Sequence, residues 1–159
     1  MKGDQQVIDF LNKALLNELT AINQYWLHYR MLDNWGVDKL AEYERKESID
    51  EMKHADKLAE RIFFLEGLPN FQALGRLRIG ESVEEILKAD LELEQEAIPL
   101  LRDAIAHCEA ARDYISRELF EEILESEEEH VDYIEKQFDL IKRMGIQNYV
   151  QLNAKAAED

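Results

Sequence analysis

Residues 67–80 read GLPNFQALGRLRIG, and this stretch of 14 residues interrupts a chain that otherwise has the composition of helices. It contains three of the six glycines and one of the two prolines. An extended segment of this length can reach ~45 Å, at about 3.3 Å per residue. A helix of nearly 30 residues is ~43 Å long, at 1.5 Å per residue. The segment can therefore run the length of a long helix instead of reversing the chain in a tight turn.

Four long helices are predicted around this connection, because apolar residues recur at helical spacing on both sides of it. The predicted helices span about 4–34, 38–66, 82–109 and 113–144, followed by a short fifth helix at 147–155. Short turns join the first pair and the second pair, so each pair is antiparallel, whereas the long connection makes the second and third helices parallel. The expected fold is all-α: one four-helix bundle domain over residues 1–159, with one long crossover connection.

Several helix boundaries carry local signals. Asp38 and Asp113 can each cap the start of a helix by accepting a backbone N–H. Ser82 is followed three residues later by Glu85, which is the spacing of a capping box. Pro99 lies inside the predicted third helix and should kink it.

The composition excludes several classes of protein. With 35 acidic and 19 basic side chains, the net charge of −16 disfavours nucleic acid and anionic lipid as partners and favours cations, although acidic helix faces also keep many proteins in solution. No segment resembles a signal peptide, and no apolar run approaches membrane-spanning length. Cys108 is the single cysteine and cannot form an internal disulfide, so a reducing cytoplasm is expected.

Two Glu-x-x-His motifs occur, at Glu51–His54 and at Glu127–His130, and each falls on a predicted long helix. The motif alone is weak in so acidic a chain, but its position is informative. Glu18 lies 33 residues before Glu51, and Glu94 lies 33 residues before Glu127. The two midpoints fall in the two predicted tight turns, and residues equidistant from the turn of an antiparallel hairpin lie side by side. Each hairpin therefore places a glutamate level with a Glu-x-x-His motif.

Four ionised carboxylates in a bundle core would be costly or would be forced to protonate without a compensating cation. Two divalent ions would cancel their charge, and carboxylates with two imidazoles but no thiolate suit iron or manganese. The predicted metal ligands are Glu18, Glu51, His54, Glu94, Glu127 and His130. The alternative is that some of these glutamates face solvent and that the histidines are hydrogen-bonded core residues.

Ferritin-like di-iron proteins have a recognisable ligand set: one Glu from each of two helices and a Glu-x-x-His from each of the other two. The chain resembles a bacterioferritin over essentially its whole length: it has these ligands, the long connection, the short last helix and Met52 inside the first motif. Rubrerythrins add four cysteines, which this chain lacks. The DNA-protecting mini-ferritins lack the second Glu-x-x-His motif within a subunit.

The resemblance implies iron storage in a cytoplasmic shell of 24 subunits, built from dimers, that oxidises ferrous iron with dioxygen or hydrogen peroxide and stores the ferric mineral. It implies that the six residues are a ferroxidase centre for two iron ions, with Glu51 and Glu127 as bridging carboxylates. It also implies a haem b shared between two subunits, with Met52 as axial ligand, and a small iron–sulfur ferredoxin as reductant. A di-iron oxidase or peroxidase of another substrate and a structural metal-binding bundle remain as alternatives.

Helical angles place Met52 roughly 130° from the centre of the site formed by Glu51 and His54, so it cannot share that metal. From the angles alone it is either an adaptable interface residue or a ligand of something else. An apolar stripe on the first helix, at Leu19, Ile22, Asn23 and Trp26, predicts an interface. The haem pocket that the resemblance implies would be lined by Leu19, Ile22, Trp26 and Ile49.

Three further residues have less decisive interpretations. Tyr25 follows Glu18 by seven residues, so it shares that helix face and can hydrogen-bond a ligand carboxylate or serve as an ordinary core tyrosine. His28 and His107 have no acidic residue three positions earlier and are interpreted as surface or packing residues.

Overall fold

A computed structural model of the protein describes residues 1–156, and within that range it contains five helices and no strand. The helices are α1 (Gln5–Trp35), α2 (Asp38–Phe64), α3 (Val83–Ala110), α4 (Tyr114–Met144) and α5 (Ile146–Asn153). The predicted all-α bundle with one long crossover and a short fifth helix is confirmed. Residues 157–159 of the predicted domain lie outside the described part. No helix among the described residues is both long enough and apolar enough to cross a membrane.

The capping predictions succeed at two helices and fail at a third. Asp113 accepts the N–H of Ser116 at 2.9 Å, and Ser82 accepts the N–H of Glu85 at 3.2 Å. The prediction for Asp38 was wrong, because it is the first residue of α2 and makes no capping hydrogen bond.

The second helix differs from expectation at its end, whereas the kink expected at Pro99 in the third helix stays a prediction. Helix α2 ends at Phe64, and Glu66 then adopts a left-handed φ of 65°, which turns the chain. The Gly67 N–H closes this turn by donating to the Ile62 carbonyl at 2.9 Å. Helix α3 continues without a break across Pro99.

The crossover runs along α1, whose side chains accept four of its backbone N–H groups. The pairs are Asn12 Oδ1 with Asn70 (2.8 Å), Thr20 Oγ1 with Gly75 (2.8 Å), Gln24 Oε1 with Arg78 (3.0 Å) and His28 Nε2 with Gly80 (3.0 Å). These contacts advance in the same order along both segments, so the crossover travels from the start of α1 to its end. It therefore returns the chain to the end of the bundle where α2 began, and α2 and α3 are parallel.

The apolar core is divided into two clusters, one at each end of the bundle. One cluster is centred on residues such as Leu11, Leu58 and Phe120, and the other includes Leu40 and Ile86. The layer between them contains mostly buried polar side chains and only a small apolar group that includes Tyr25. This middle layer holds the candidate site.

Candidate metal centre

The six predicted ligand residues come together in the middle of the bundle. Each is buried, and the most accessible of them, His54, is only 8% exposed. Their potential ligand atoms form two groups in which all atoms lie within 4.8 Å of one another. One group contains Glu18, Glu51, His54 and Glu127, and the other contains Glu51, Glu94, Glu127 and His130. The two groups share Glu51 and Glu127, which is the arrangement expected of two neighbouring cation positions joined by two carboxylates.

Both histidines turn Nδ1 toward the carboxylates. His54 Nδ1 lies 3.7 Å from Glu18 Oε2 and 3.7 Å from Glu51 Oε2. His130 Nδ1 lies 3.5 Å from Glu51 Oε1 and 3.5 Å from Glu94 Oε1. A spacing of three residues on a helix brings each histidine beside the glutamate of its own motif. The imidazoles therefore present the same nitrogen from opposite ends of one cluster.

Several buried polar atoms in this cluster have no hydrogen-bond partner among the described residues. They are Glu18 Oε2, Glu51 Oε1, His54 Nδ1, Glu127 Oε1 and His130 Nδ1. Buried polar groups without partners are rare in folded proteins because each one costs free energy. All five atoms are of the kinds that bind metal, and all five face the same small volume. The residues present therefore fit a pair of bound cations.

Tyr25 hydrogen-bonds one of the candidate ligands, as one of the two interpretations of this residue predicted. Its hydroxyl donates to Glu94 Oε1 at 2.5 Å, and its ring meets the edge of His130 with centroids 6.2 Å apart. Burial raises the pKa of Tyr25 well above its ordinary value, so the phenol remains a proton donor. Tyr25 thus fixes the orientation of Glu94 through Oε1, the oxygen that also lies 3.5 Å from His130 Nδ1.

Glu47 is a functional candidate that the sequence interpretation missed. It is 5% exposed, and its carboxylate lies in direct contact with His130 Nε2, the ring nitrogen that faces away from the cluster. Glu47 lies four residues before Glu51, so the helical period would have placed it on the same face of α2. Nothing in the sequence distinguished it from the many other glutamates at that spacing.

A second buried polar group lies between the candidate centre and the far end of α1. Its members are His28, Glu44 and Asp90, each at most 1% exposed. Asp90 Oδ1 accepts from Gln24 at 3.0 Å and contacts His28 Nδ1 at 2.9 Å. Burial and the neighbouring Asp90 charge raise the pKa of Glu44 well above its ordinary value.

His28 was interpreted as a surface or packing residue. It is buried and hydrogen-bonded, which supports packing and excludes the surface. Its Nε2 accepts the Gly80 N–H, so Nδ1 carries the proton and donates to Asp90, and the ring is neutral. This tautomer leaves neither nitrogen free to bind a metal. The other unassigned histidine, His107, is partly exposed and contacts Asp4, the N-cap residue of α1, at 2.9 Å.

When no metal is bound, protons on the glutamate and histidine side chains of the cluster offset its negative charge. Burial and the nearby Glu127 charge raise the pKa of Glu18 to about 7. The pKa of His130 rises to about 10, because the neighbouring carboxylates of Glu127 and Glu47 outweigh the opposing effect of burial. The pKa of His54 is also raised, by its contact with Glu18, against the effect of burial. The metal-free cluster therefore holds protons that the same groups would release in water.

The metal-free protein is therefore expected to lose stability as pH rises from about 5 to about 7. The folded chain keeps a proton on Glu18 up to a pKa of about 7, whereas the unfolded chain releases it near 4.5. The folded state then binds more protons in this window, so the free energy of unfolding falls with pH, by on the order of 3 kcal/mol for a shift of this size. Denaturant midpoints of the metal-free protein at pH 5.5 and pH 7.5 measure the effect.

Glu18→Gln is the matched control for this pH dependence. The amide is close to the neutral acid in shape and cannot ionise, so the difference between the two midpoints should shrink. Zn²⁺ in excess should also shrink it in the wild-type protein, because the cation replaces the protons. A wild-type midpoint that rises between pH 5.5 and pH 7.5 would contradict the expected sign.

Met52 lies outside the cluster, as its helical angle required. Its side chain is 51% exposed and borders a groove that also contains Ile22, Trp26 and Ser48. Two other predicted members of the pocket do not line this groove, although Ile49 shares a second groove with Met52. Leu19 packs against the apolar core, and Ile49 lines a separate groove on the other side of Met52.

Comparison with known proteins connects this chain to one family of iron proteins. Residues 8–144 match the family model described as a ferritin-like domain. A bacterioferritin of Brucella melitensis is 50% identical over 159 residues, which cover 100% of this chain and 99% of the relative. A bacterioferritin of Rhodobacter capsulatus is 51% identical over 97% of this chain and 96% of its own length. One from Streptomyces coelicolor is 51% identical, with 94% and 90% covered.

Proposed function

Because this chain belongs to the bacterioferritin family and so functions in iron storage, we propose that its six buried ligand residues form a di-iron ferroxidase centre. Ferroxidase activity is a general property of the family. The observation that carries the proposal is the pair of overlapping ligand groups, which share Glu51 and Glu127 and contain polar atoms that no hydrogen bond satisfies.

The donor set supports iron as the metal. The centre offers carboxylate oxygens and two imidazole nitrogens, and hard oxygen ligands of this kind suit iron better than copper(I). The only thiol, Cys108, is buried in the apolar cluster at one end of the bundle. Burial raises its pKa to about 12, so it stays protonated. No thiolate therefore competes for the metal.

A pair of iron ions held here would be able to supply two electrons together to dioxygen or hydrogen peroxide. The protein's contribution is to hold the ions side by side and to favour the ferric state. Glu51 and Glu127, which both ligand groups contain, would be shared by the two positions; Glu18 and His54 would complete one of them, and Glu94 and His130 the other. Tyr25 orients Glu94 through its hydrogen bond. Anionic oxygens stabilise Fe(III) more than Fe(II), which favours oxidation.

Met52 is proposed as the axial ligand of a haem b that lies between two subunits. The donor chemistry fits, because the thioether is half exposed and borders an apolar groove of about 310 Å³ that includes Ile22 and Trp26. A two-fold interface presents every residue twice, so one methionine from each chain supplies both axial positions. A haem in this place can carry electrons toward the stored mineral from a small iron–sulfur ferredoxin.

Assembly into an oligomeric shell is the behaviour of the family, and we propose the closed 24-subunit form for this chain. Two exposed apolar regions support extensive contacts between subunits. One contains Trp26, Leu27 and Met52 on α1 and α2, and the other contains Phe63 and Phe64 at the end of α2. Exposed apolar patches rimmed by polar residues commonly mark protein interfaces.

Stopped-flow absorbance after mixing the metal-free protein with Fe(II) and oxygen tests the proposed function. We expect rapid formation of ferric product for the first two ions per chain, followed by continued oxidation of many more ions that remain in solution with the protein. Oxidation that stops at two ions per chain would indicate a di-iron enzyme for another substrate. No fast oxidation at all would indicate a structural metal-binding bundle.

A further inference from the structure

The two histidines of the proposed centre have different surroundings on the side that faces away from the metal positions. His130 turns Nε2 onto Glu47, which is buried in the bundle. His54 has no such partner: among the described residues, both of its contacts with carboxylates within 4.0 Å are made by Nδ1. The two Glu-x-x-His motifs supply matching ligands, but the side chains on the far side of the two histidines do not match.

A carboxylate behind a ligand histidine has known consequences. It fixes the proton on the nitrogen that faces it, which leaves the other nitrogen free for the cation, and it makes the imidazole a stronger donor. For His130 this places the proton on Nε2 and the lone pair on Nδ1, toward Glu51, Glu94 and Glu127. Removing such a partner costs about 10- to 100-fold in metal affinity.

His54 instead borders an open groove of about 700 Å³ between α2 and α4. The groove is lined by charged side chains, including Asp50, Lys57 and Glu122. Lys57 Nζ lies 2.6 Å from Glu122 Oε1, so the carboxylate across the groove from His54 forms an ion pair with an exposed lysine. An ion bound at His54 would therefore lie next to solvent and next to a ligand whose Nε2 contacts no carboxylate among the described residues.

We propose that Glu47 is a positioning residue that makes the two metal positions unequal, favouring the position of Glu94 and His130 over that of Glu18 and His54. The ion beside His130 binds first and is held, and the ion beside His54 is the one that exchanges through the groove. This inference rests on the proposed di-iron centre, and it concerns the order of binding, which is independent of any oxidation step.

Crystals of the metal-free protein equilibrated with one Zn²⁺ per chain test the order of binding, because anomalous scattering measures occupancy at each position separately. In the wild-type protein we expect the position at His130 to be at least about 10-fold more occupied than the position at His54. In Glu47→Gln that ratio should fall by about 10- to 100-fold. Both positions belong to the same chain, so a general loss of stability would not alter the ratio in this way.

Glu44→Gln is the matched control, since it makes the same change at another buried glutamate of α2, and among the described residues Glu44 makes no contact within 4.0 Å with either ligand histidine. It should leave the occupancy ratio as in the wild type. Equal occupancy in the wild type, a preference for His54, or an equal effect of the two substitutions would each overturn the role of Glu47. If Zn²⁺ occupies neither position of the wild type, the proposed centre fails together with the inference.

Discussion

Glu127→Ala should abolish the fast oxidation of ferrous iron while the protein still folds and assembles. Glu127 belongs to both ligand groups, so its loss removes an oxygen from each metal position at once. Loss of a residue that only supports a ligand costs about 10- to 100-fold in metal affinity or activity, so loss of this shared ligand should slow oxidation at least ~100-fold. Stopped-flow absorbance of the ferric product, measured per chain, gives the rate.

Glu129→Ala is the appropriate control, because this glutamate lies two residues away on α4 and is exposed. It removes the same charge from the same helix without touching the centre, and it should oxidise iron at the wild-type rate. The metal-free Glu127→Ala protein should also unfold at a higher denaturant concentration than the wild type, since one buried carboxylate fewer must be neutralised. A wild-type oxidation rate in Glu127→Ala would refute the ligand assignment.

Met52→Leu should bind no haem, whereas the wild-type protein should bind one haem per two chains. Leucine and methionine have similar volumes, so the groove keeps its shape and loses only the thioether sulfur. The side chain of Met52 is directed away from the metal cluster, and ferrous oxidation should therefore be unchanged. Haem content follows from the absorbance of the extracted haem divided by the protein concentration.

Met144→Leu makes the same chemical change outside the groove at Met52, because Met144 packs against the apolar cluster that includes Leu40 and Ile86. It should retain the full haem content. Haem at wild-type stoichiometry in Met52→Leu would show that another residue is the axial ligand. Loss of ferrous oxidation together with haem would show instead that the substitution disturbs the whole subunit.

The residues of the candidate metal centre could be brought together from sequence because their spacing carries three-dimensional information. Glu18 and Glu51 are equidistant from one tight turn, and Glu94 and Glu127 are equidistant from the other. An antiparallel hairpin converts such symmetry directly into proximity. The length of the crossover likewise indicates that α2 and α3 are parallel, because a tight turn would have made them antiparallel. The overall fold and the location of the site therefore follow from distances along the chain.

The residues that support the centre could not be found in the same way. Glu47 and Asp90 act through contacts between different helices, and the sequence of an acidic bundle offers many glutamates and aspartates with the same spacing. Their partners, His130 and His28, are identified only by the rotation of each helix about its axis. A rotation of a few tens of degrees changes which carboxylate is buried, and it is set by packing rather than by local sequence.

The lining of the haem pocket that the resemblance implies stays a prediction. Ideal helical angles placed Leu19 on the outer stripe with Ile22, and Ile49 beside Met52. In the folded chain Leu19 packs partly against the core, whereas Ile49 lines one of the two grooves that Met52 borders. Residues near the edge of a helix face can fall on either side of it, and only the neighbouring helix decides which.

The hydrogen bonds between α1 and the crossover make this long connection intolerant of changes in length. Surface loops usually accept insertions and deletions because few of their backbone groups have fixed partners. Here Thr20, Gln24 and His28 each receive a backbone N–H from the crossover in strict order, so a single-residue deletion before Gly75 would displace all three pairs. The position of Gly80 would shift with them, and His28 would lose the contact that sets its tautomer. A peptide tag or cargo is therefore better placed in the tight turn at Gly36, where a left-handed glycine has open space around it.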